Sequence, residues 1–495
     1  MNRHFVRSAF ALGISQLITW TCTASLVILL PRYLGDVNLG KLGFAMAFTG
    51  LLGVMAELGT ATYLTKEIAR NPTRAGVLTT NALAMRFPMS AAVAAIAVAV
   101  VNLSGYDEVT RHLVYLFCIG LLVDALAKIV LGALQGLQRM RSLAAGSVLS
   151  KVTFAGLAFV MVLSGEGGAV EVAYIHVFSS LLALGCGLLI LLRLGRLPLT
   201  VDWSSWRFIF MGGLPFFLWQ ASFMVYAHID MVLLSFLANH AVVGWYGAAY
   251  KIVMLPAFVP TIVMTVTFPA LVAAASNPAL FNTLARQAAH IILLASVPMA
   301  IGIMLLADKI IALFGYPEVF NNSAILMVLL APCIVLAGVD TIIGNVLTAR
   351  DRQRQWALTG VAAAVLNPLL NLVAIPYTQA AYGNGAIGAA AITTLTEVFM
   401  MSVGLWLLPS GVFNGRMLAN ALKCLAVGLG MAVFVGLTRD HPLVVPILLG
   451  ALVYGGGCLA SGILSLDDLR LVARQLTARV TTPVEPKTQK LAPET

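Results

Sequence analysis

The sequence predicts an all-α polytopic membrane protein of about fourteen transmembrane helices. Three observations carry that prediction. Of 495 residues, 60% are hydrophobic and only 10% charged, too few polar groups to cover a soluble surface. Apolar runs of roughly 20 residues, the length that crosses a hydrocarbon core, recur along most of the chain. The lysines and arginines, which give a net charge of +10, gather in the polar breaks and are dense in alternate ones.

The basic N-terminus MNRHFVRSAF leads into an apolar run ending at Leu30 without a small-residue cleavage site, so helix one (8-30) reads as a retained span rather than a removed signal. A polar corner, Arg32 to Lys41, leads into helix two (39-64), which carries Glu57 within its apolar length. Helices three to six are expected at 79-103, 111-135, 144-164 and 171-193, and helices seven to twelve at 207-236, 242-266, 286-307, 321-346, 356-376 and 385-408. Helices thirteen and fourteen span 417-437 and 443-464, and the tail, 465-495, rich in Thr and Pro, is expected to be cytoplasmic and partly disordered. All six cysteines sit inside apolar runs, without a CxxC pair or metal-ligand spacing, and read as small core residues.

One set of alternate breaks, together with both chain ends, holds twenty-one Lys and Arg residues; the other set holds five, Arg32, Lys41, Arg111, Lys309 and Arg439. Positive charge is retained on the cytoplasmic side, so both termini are expected in the cytoplasm, across a bacterial inner membrane, and the helix number must be even. The breaks leave no room for a catalytic or nucleotide-binding domain outside the membrane, and no GxxxxGK[ST] occurs. ATP is therefore not expected as the direct energy source unless a partner subunit supplies it, and the basic balance is one of topology rather than of nucleic-acid binding.

The corner recurs. YLGDVNLGKLGFAMA (33-47) aligns with FLANHAVVGWYGAAYK (236-251) with one inserted residue, matching Gly40 to Gly244. YDEV (106-109) matches YPEV (316-319), and LGALQGLQRMR (131-141) matches IGNVLTARDRQ (343-353). Six helices separate the copies, an even number, so both copies share one orientation and should be related by an axis along the membrane normal. The expected organisation is an N-terminal lobe (1-206), a C-terminal lobe (207-410) and an appended pair of helices (411-464).

Nine ionisable residues lie well inside the expected spans: Glu57, Arg86, Asp124, Lys128, Lys151, Asp230, Lys251, Asp340 and Glu397. Each costs roughly 2.5–3.5 kcal/mol at a helix centre on insertion scales, so they should face one another or a wet path rather than lipid. Asp124 and Lys128 stand at i and i+4 in the order that favours an intrahelical pair. With Glu397 they are the deepest, and so the candidates for ion coupling or headgroup contact; a permanently neutralised packing pair is the alternative. Asp230 and Lys251 lie at similar depth on either side of the corner between helices seven and eight and are expected to meet across it, as a salt bridge or a gate latch.

Arg86 and Lys151, one or two turns inside the cytoplasmic face, are expected to snorkel. Asp340 falls at the position matched to Lys128, which suggests a charge pair between lobes. Gln16, Thr19 and Thr23 form a polar stripe on helix one, and Asn367 and Asn371 another on helix eleven; such stripes either line a hydrophilic path or bond to neighbouring helices. His228, two residues from Asp230, does not share its face.

Three stretches resemble a known family: LPRYLGDVNLGKLGFAMA with the later Glu57-Leu58-Gly59, HIDMVLLSFLANHAVVGWYGAAYKI with Asp230 and Lys251, and LFGYPEVFNNSA (313-324). The likeness, over about residues 8-464, is to the polysaccharide or oligosaccharide flippases (Wzx-like) of the multidrug/oligosaccharidyl-lipid/polysaccharide exporter superfamily. The resemblance implies two lobes around a central cavity and no enzymatic chemistry. It implies a polyprenyl-diphosphate-linked oligosaccharide moved from the cytoplasmic to the periplasmic leaflet by alternating access, for surface polysaccharide biosynthesis. No cofactor is expected beyond a proton or sodium ion, or the membrane potential alone, as driving force. The expected partners are the lipid-linked glycan, membrane lipids, and glycan polymerase and assembly proteins.

Two other readings stay open. One is a cation-coupled exporter of small amphipathic cations, from the related drug-efflux branch. The other is a membrane-embedded glycan polymerase or ligase, which would need acids, bases or arginines on a large periplasmic loop that the sequence lacks. Glu57, in the cytoplasmic half of its helix, is assigned a structural or gating role, and Asp124 or Glu397 the coupling role. Asp124→Asn or Glu397→Gln is expected to alter the pH or sodium dependence of transport in proteoliposomes; unchanged dependence in both variants would remove that assignment.

Overall fold

The computed structural model describes residues 3–464 apart from 196 and 199, with side chains described from residue 15 onward except those at 141, 143, 215 and 219. The expected disorder of 465-495 falls outside the described residues. Among the described residues regular structure is helical throughout, with one isolated bridge between Ser410 and Phe413.

The first helix, α1, runs from Arg3 to Glu57. Its 55 residues would extend ~80 Å if straight, far beyond a ~30 Å hydrocarbon core. The chain reverses at Gly35, whose φ of 71° and ψ of 178° suit only a residue without a Cβ. After the second leg come α2 (Thr60–Arg70), α3 (Ala75–Leu103), α4 (Glu108–Gly136), α5 (Met140–Ser164) and α6 (Ala169–Leu194). The expected helix two is thus two pieces, because Leu58 and Gly59 leave the helical region at φ 45° and 65°. Contacts fix its direction. Lys41 Nζ lies 2.5 Å from Asp107 Oδ2 at the start of α4, and Thr65 Oγ1 donates to Gly132 O at 3.0 Å near its end.

In the next set, α7 (Trp203–Leu237) starts where the Asp202 side chain accepts from the backbone N–H of Ser204 and Ser205. Asn239 caps α8 (His240–Met254) in the same way through Val242, and Pro256 tightens the turn before α9 (Phe258–Ala273), so that one crossing is built from both pieces. Then follow α10 (Pro278–Leu313), α11 (Asn322–Leu330), α12 (Pro332–Ala349), α13 (Gln353–Tyr382) and α14 (Ala386–Leu407). Pro332 lacks the N–H that would carry α11 unbroken into α12. Twelve helical stretches among the described residues are long and apolar enough to cross a membrane; Ser15–Glu57 doubles back, and Val444–Ala460 is a shorter apolar helix, which gives the fourteen expected crossings.

The residues matched by the repeat pack against each other reciprocally. A Cβ on Gly40 would lie 1.7 Å from the His240 carbonyl oxygen, and one on Gly244 would lie 2.1 Å from the Asp36 carbonyl oxygen. Trp245 Nε1 closes the same contact by donating to Asp36 Oδ2 at 2.9 Å. The matched tyrosines do likewise: Tyr106 OH bonds Ser235 Oγ at 2.9 Å, and Tyr316 OH donates to the Val27 carbonyl. Such i-to-j and j-to-i reciprocity is what a two-fold axis between copies requires. Around it Phe44 stacks on Tyr106 at 4.8 Å and meets Phe236 edge-on at 5.9 Å. Burial alone would raise the Asp107 carboxyl, but hydrogen bonds from Lys41 and Thr110 outweigh it and hold Asp107 below its ordinary value.

Residues 414–464 form a second compact unit. It contains α15 (Gly415–Leu437), whose N-cap Asn414 accepts from Met417 N, and α16 (Val444–Ala460). The pair approaches closely through glycines: a Cβ on Gly457 would lie 2.6 Å from Val427 Cγ1.

Substitutions at three glycines of α1 should rank by these contacts. Gly40→Ala is expected to destabilise most, because a backbone carbonyl occupies the space, and Gly35→Ala by roughly 1–2 kcal/mol from its φ. Gly50→Ala, with open space around it, should be near neutral. Thermal unfolding of the purified variants checks the order.

Candidate functional site

The break in the second crossing gathers the first polar cluster. α1 ends at Glu57, whose side chain accepts from Lys128 Nζ of α4 through one oxygen and from Gln220 Nε2 of α7 through the other. The Thr60 hydroxyl donates to the Glu57 carbonyl at 2.8 Å, satisfying one of the acceptors a helix end leaves bare. Arg86 Nη2 in turn donates to Thr60 Oγ1 at 2.5 Å. The backbone of α7 presses on the break: a Cβ on Gly59 would lie 2.4 Å from Gly213 O, and one on Gly213 would lie 2.5 Å from Leu58 O. Five helices thus meet at Glu57-Leu58-Gly59.

This arrangement corrects three expectations. Lys128 pairs with Glu57 and not with Asp124, because the intrahelical pair offers a few tenths of a kcal/mol whereas Glu57 is a buried acid with few other donors. Arg86 does not snorkel; it is fully buried, and its Nε and Nη1 have no hydrogen-bond partner. Lys151 is exposed, as expected of a residue reaching outward. The pair suggested between Asp340 and Lys128 does not form, since each is engaged within its own set of helices.

Asp124 pairs instead with His176 of α6, Oδ2 to Nε2 at 3.3 Å. Gly120, one turn before Asp124, leaves room for the ring: its Cβ would lie 3.2 Å from His176 Cδ2. Asp124 and Lys128 keep 42% and 46% of their side-chain surface, so this face of α4 is open, in contrast to Glu57 at 10%.

In the helices after residue 202, Asp230 of α7 is buried and surrounded by neutral donors. Tyr246 OH and Thr393 Oγ1 each approach Oδ2 at 2.7 Å, and Asn371 Nδ2 donates to Oδ1 at 2.8 Å. Asn371 Nδ2 also reaches Asn367 Oδ1 at 3.0 Å, so the asparagine stripe of α13 bonds to a neighbouring helix. The expected Asp230–Lys251 bridge is absent among the described residues. Tyr246, six residues into α8, matches the depth of Asp230, seven residues before the end of α7. Lys251 sits about 7.5 Å deeper and on another face. The stripe of α1 behaves differently: Gln16 is exposed, and the Thr19 and Thr23 hydroxyls donate to carbonyls of their own helix.

A third group lies nearby. Tyr226 OH of α7 donates to Glu397 Oε1 of α14 at 2.5 Å, and the Asp340 carboxyl of α12 faces that of Glu397. Sequence reasoning missed His176, Gln220, Tyr226, Tyr246 and Thr393. Gln220 stood out only as one amide in the apolar FFLWQASF, and the others are residue types that fill membrane helices without special spacing. Among the described residues no three His, Cys, Asp or Glu side chains gather as for a metal ion.

A repeat of six-helix sets with ionisable side chains inside its spans, and no sizeable extramembrane domain among the described residues, is the architecture of a multi-pass membrane transporter. Solved structures show the same fold: a lipid II flippase, MurJ, in an inward closed conformation matches 95% of this chain and 100% of its own at a TM-score of 0.73 and 14% identity. An inward-facing multidrug resistance MATE family transporter of the MOP superfamily matches 84% and 99% at 0.62 and 17%. The chain belongs to the polysaccharide biosynthesis protein family, whose model matches residues 5–274. Two curated relatives come from Haloferax volcanii. The probable low-salt glycan biosynthesis flippase Agl15 is 22% identical over 86% of this chain and 89% of its own, and the probable flippase AglR is 26% identical over 38% and 39%.

Lys128→Met should destabilise the protein by about 1–3 kcal/mol, because it leaves Glu57 with Gln220 alone. Adding Glu57→Gln should recover part of that loss. A double-mutant cycle on thermal unfolding measures the coupling; strictly additive effects would show that the pair contributes nothing.

Proposed function

We propose that this protein carries a lipid-linked oligosaccharide from the cytoplasmic to the periplasmic leaflet by alternating access, for surface polysaccharide assembly. The observation that carries the reading is the seam between the two sets of helices. At the corner end it is closed by the Gly40 and Gly244 backbone contacts, and about one crossing away by Gly59 against Gly213 with the Glu57–Gln220 hydrogen bond. Contacts of small residues and single polar bonds can be made and broken, as an alternating gate requires. The glycan substrate is suggested by the Agl15 relative, named for glycan biosynthesis. The lobes would be 1-206 and 207-410, with both termini cytoplasmic by the lysine and arginine bias.

A polyprenyl tail can stay in lipid while its diphosphate-sugar headgroup crosses between the lobes. Half-buried Lys251, without an ion-pair partner among the described residues, and the open face of Lys128 are the basic groups available to that headgroup. With the inside negative, outward movement of an anion is favoured by about 2.3 kcal/mol per elementary charge per 100 mV. The potential alone therefore has the right sign to drive the step, and proton or sodium coupling would add to it.

The second reading, export of small amphipathic cations, is favoured by one observation: the buried acids Asp230, Asp340 and Glu397 have no basic partner among the described residues. The two readings separate in one comparison. Cells lacking the protein should accumulate a lipid-linked glycan on the cytoplasmic leaflet, detected by its protection from added glycosidase in right-side-out vesicles. No accumulation, together with drug efflux by the protein in proteoliposomes, would establish the second reading instead.

A further inference from the structure

We infer that Asp340 and Glu397 form a proton-binding site: one proton shared between two carboxyl groups and reported to α7 through Tyr226. The two acids come from neighbouring helices, α12 and α14, and their side chains face each other. Both are buried, at 8% and 9% exposure. Glu397 Oε1 has one donor, Tyr226 OH. Neither oxygen of Asp340 receives a hydrogen bond, although both are closed off from solvent.

No Lys, Arg or His among the described residues forms an ion pair with either acid. The other titratable groups in the surroundings are Tyr250 of α8 and Cys333 of α12, with Asp230 further along α7, and none of them is a cation. Two carboxylates side by side in a low-dielectric interior repel each other strongly, and each lacks the counter-charge that would allow both to ionise. One proton between them removes the repulsion and supplies Asp340 with its missing hydrogen bond. Asp230 differs in its surroundings: three uncharged groups, Tyr246, Thr393 and Asn371, donate to it, and no second carboxyl group faces it.

The pair is placed to sense movement. α7 carries Gly213 and Gln220 against the α1 break, Tyr226 against Glu397, and Asp230 against α13 and α14. A shift of α7 that opens the seam at Gly213 withdraws the Tyr226 hydroxyl from Glu397, and loss of the proton makes the Tyr226 bond stronger. Use of this site to couple proton movement to transport rests on the proposed function; the existence of the bound proton does not.

Infrared spectroscopy of the full-length protein in lipid nanodiscs tests the site directly. The native protein should show the C=O stretch of a protonated carboxyl at neutral pH that titrates away in alkaline buffer. Asp340→Asn and Glu397→Gln should each abolish the band at neutral pH, because the new amide donates to the remaining acid and lets it ionise. Asp230→Asn should leave it. Tyr226→Phe removes a donor to the anion and should carry the loss of the band to higher pH, which provides a second reading if an acid variant fails to fold. Absence of the band from the native protein, or its survival in both acid variants, overturns the inference. So does its removal by sodium chloride but not by choline chloride, which would assign the pair to a metal cation. Loss of glycan-lipid flipping with the band intact would count against the proposed function alone.

Discussion

A charge inside hydrocarbon has to be answered from within the protein, and this requirement shapes the polar interior. Where a base is near, the answer is a basic side chain: the Lys128 ammonium for Glu57 and the His176 imidazole for Asp124. Where none is near, it is a shell of hydroxyls and amides, as around Asp230, or a second acid, as for Asp340 and Glu397. Of these intramembrane acids, those that meet a basic side chain lie in the first set of helices and those that meet none among the described residues lie in the second. The repeat that built both halves from one pattern has therefore been filled with opposite electrostatic solutions.

Backbone proximity supplies the frame that makes those answers possible. Glycines at 40, 59, 213 and 244 let main chains approach to distances that any side chain would forbid. In membranes, where lipid is as apolar as leucine, close packing of small residues is a principal source of helix association. The seam between the sets is thus held by shape more than by charge, with Tyr106 and Tyr316 each crossing it once.

Much of this was legible in the sequence. Apolar runs located the crossings, the corner and its copy gave the repeat, and the matched Gly40 and Gly244 turned out to touch. Pairing was not legible, for a geometric reason: periodicity says which residues share a face of one helix, but not how the neighbouring helix is rotated or shifted. Asp230 finds Tyr246 rather than Lys251 because a shift of five residues moves a side chain both deeper and around the axis. Glu57 and Lys128, 71 residues apart, carried no spacing that linked them. The break at Leu58-Gly59 was hidden because a single glycine within an apolar helix is ambiguous until its φ is known.

That break has a mechanical meaning. A continuous helix transmits rotation and tilt from one membrane face to the other as a rigid rod. Interrupted after Glu57, the second crossing is instead two short levers, the second leg of α1 and α2, meeting at a joint whose side is braced by α7. The corner end and the far end can then take different inclinations without unwinding either lever. The two faces of the protein are to that extent mechanically independent, and the polar bonds at the joint decide when they move together.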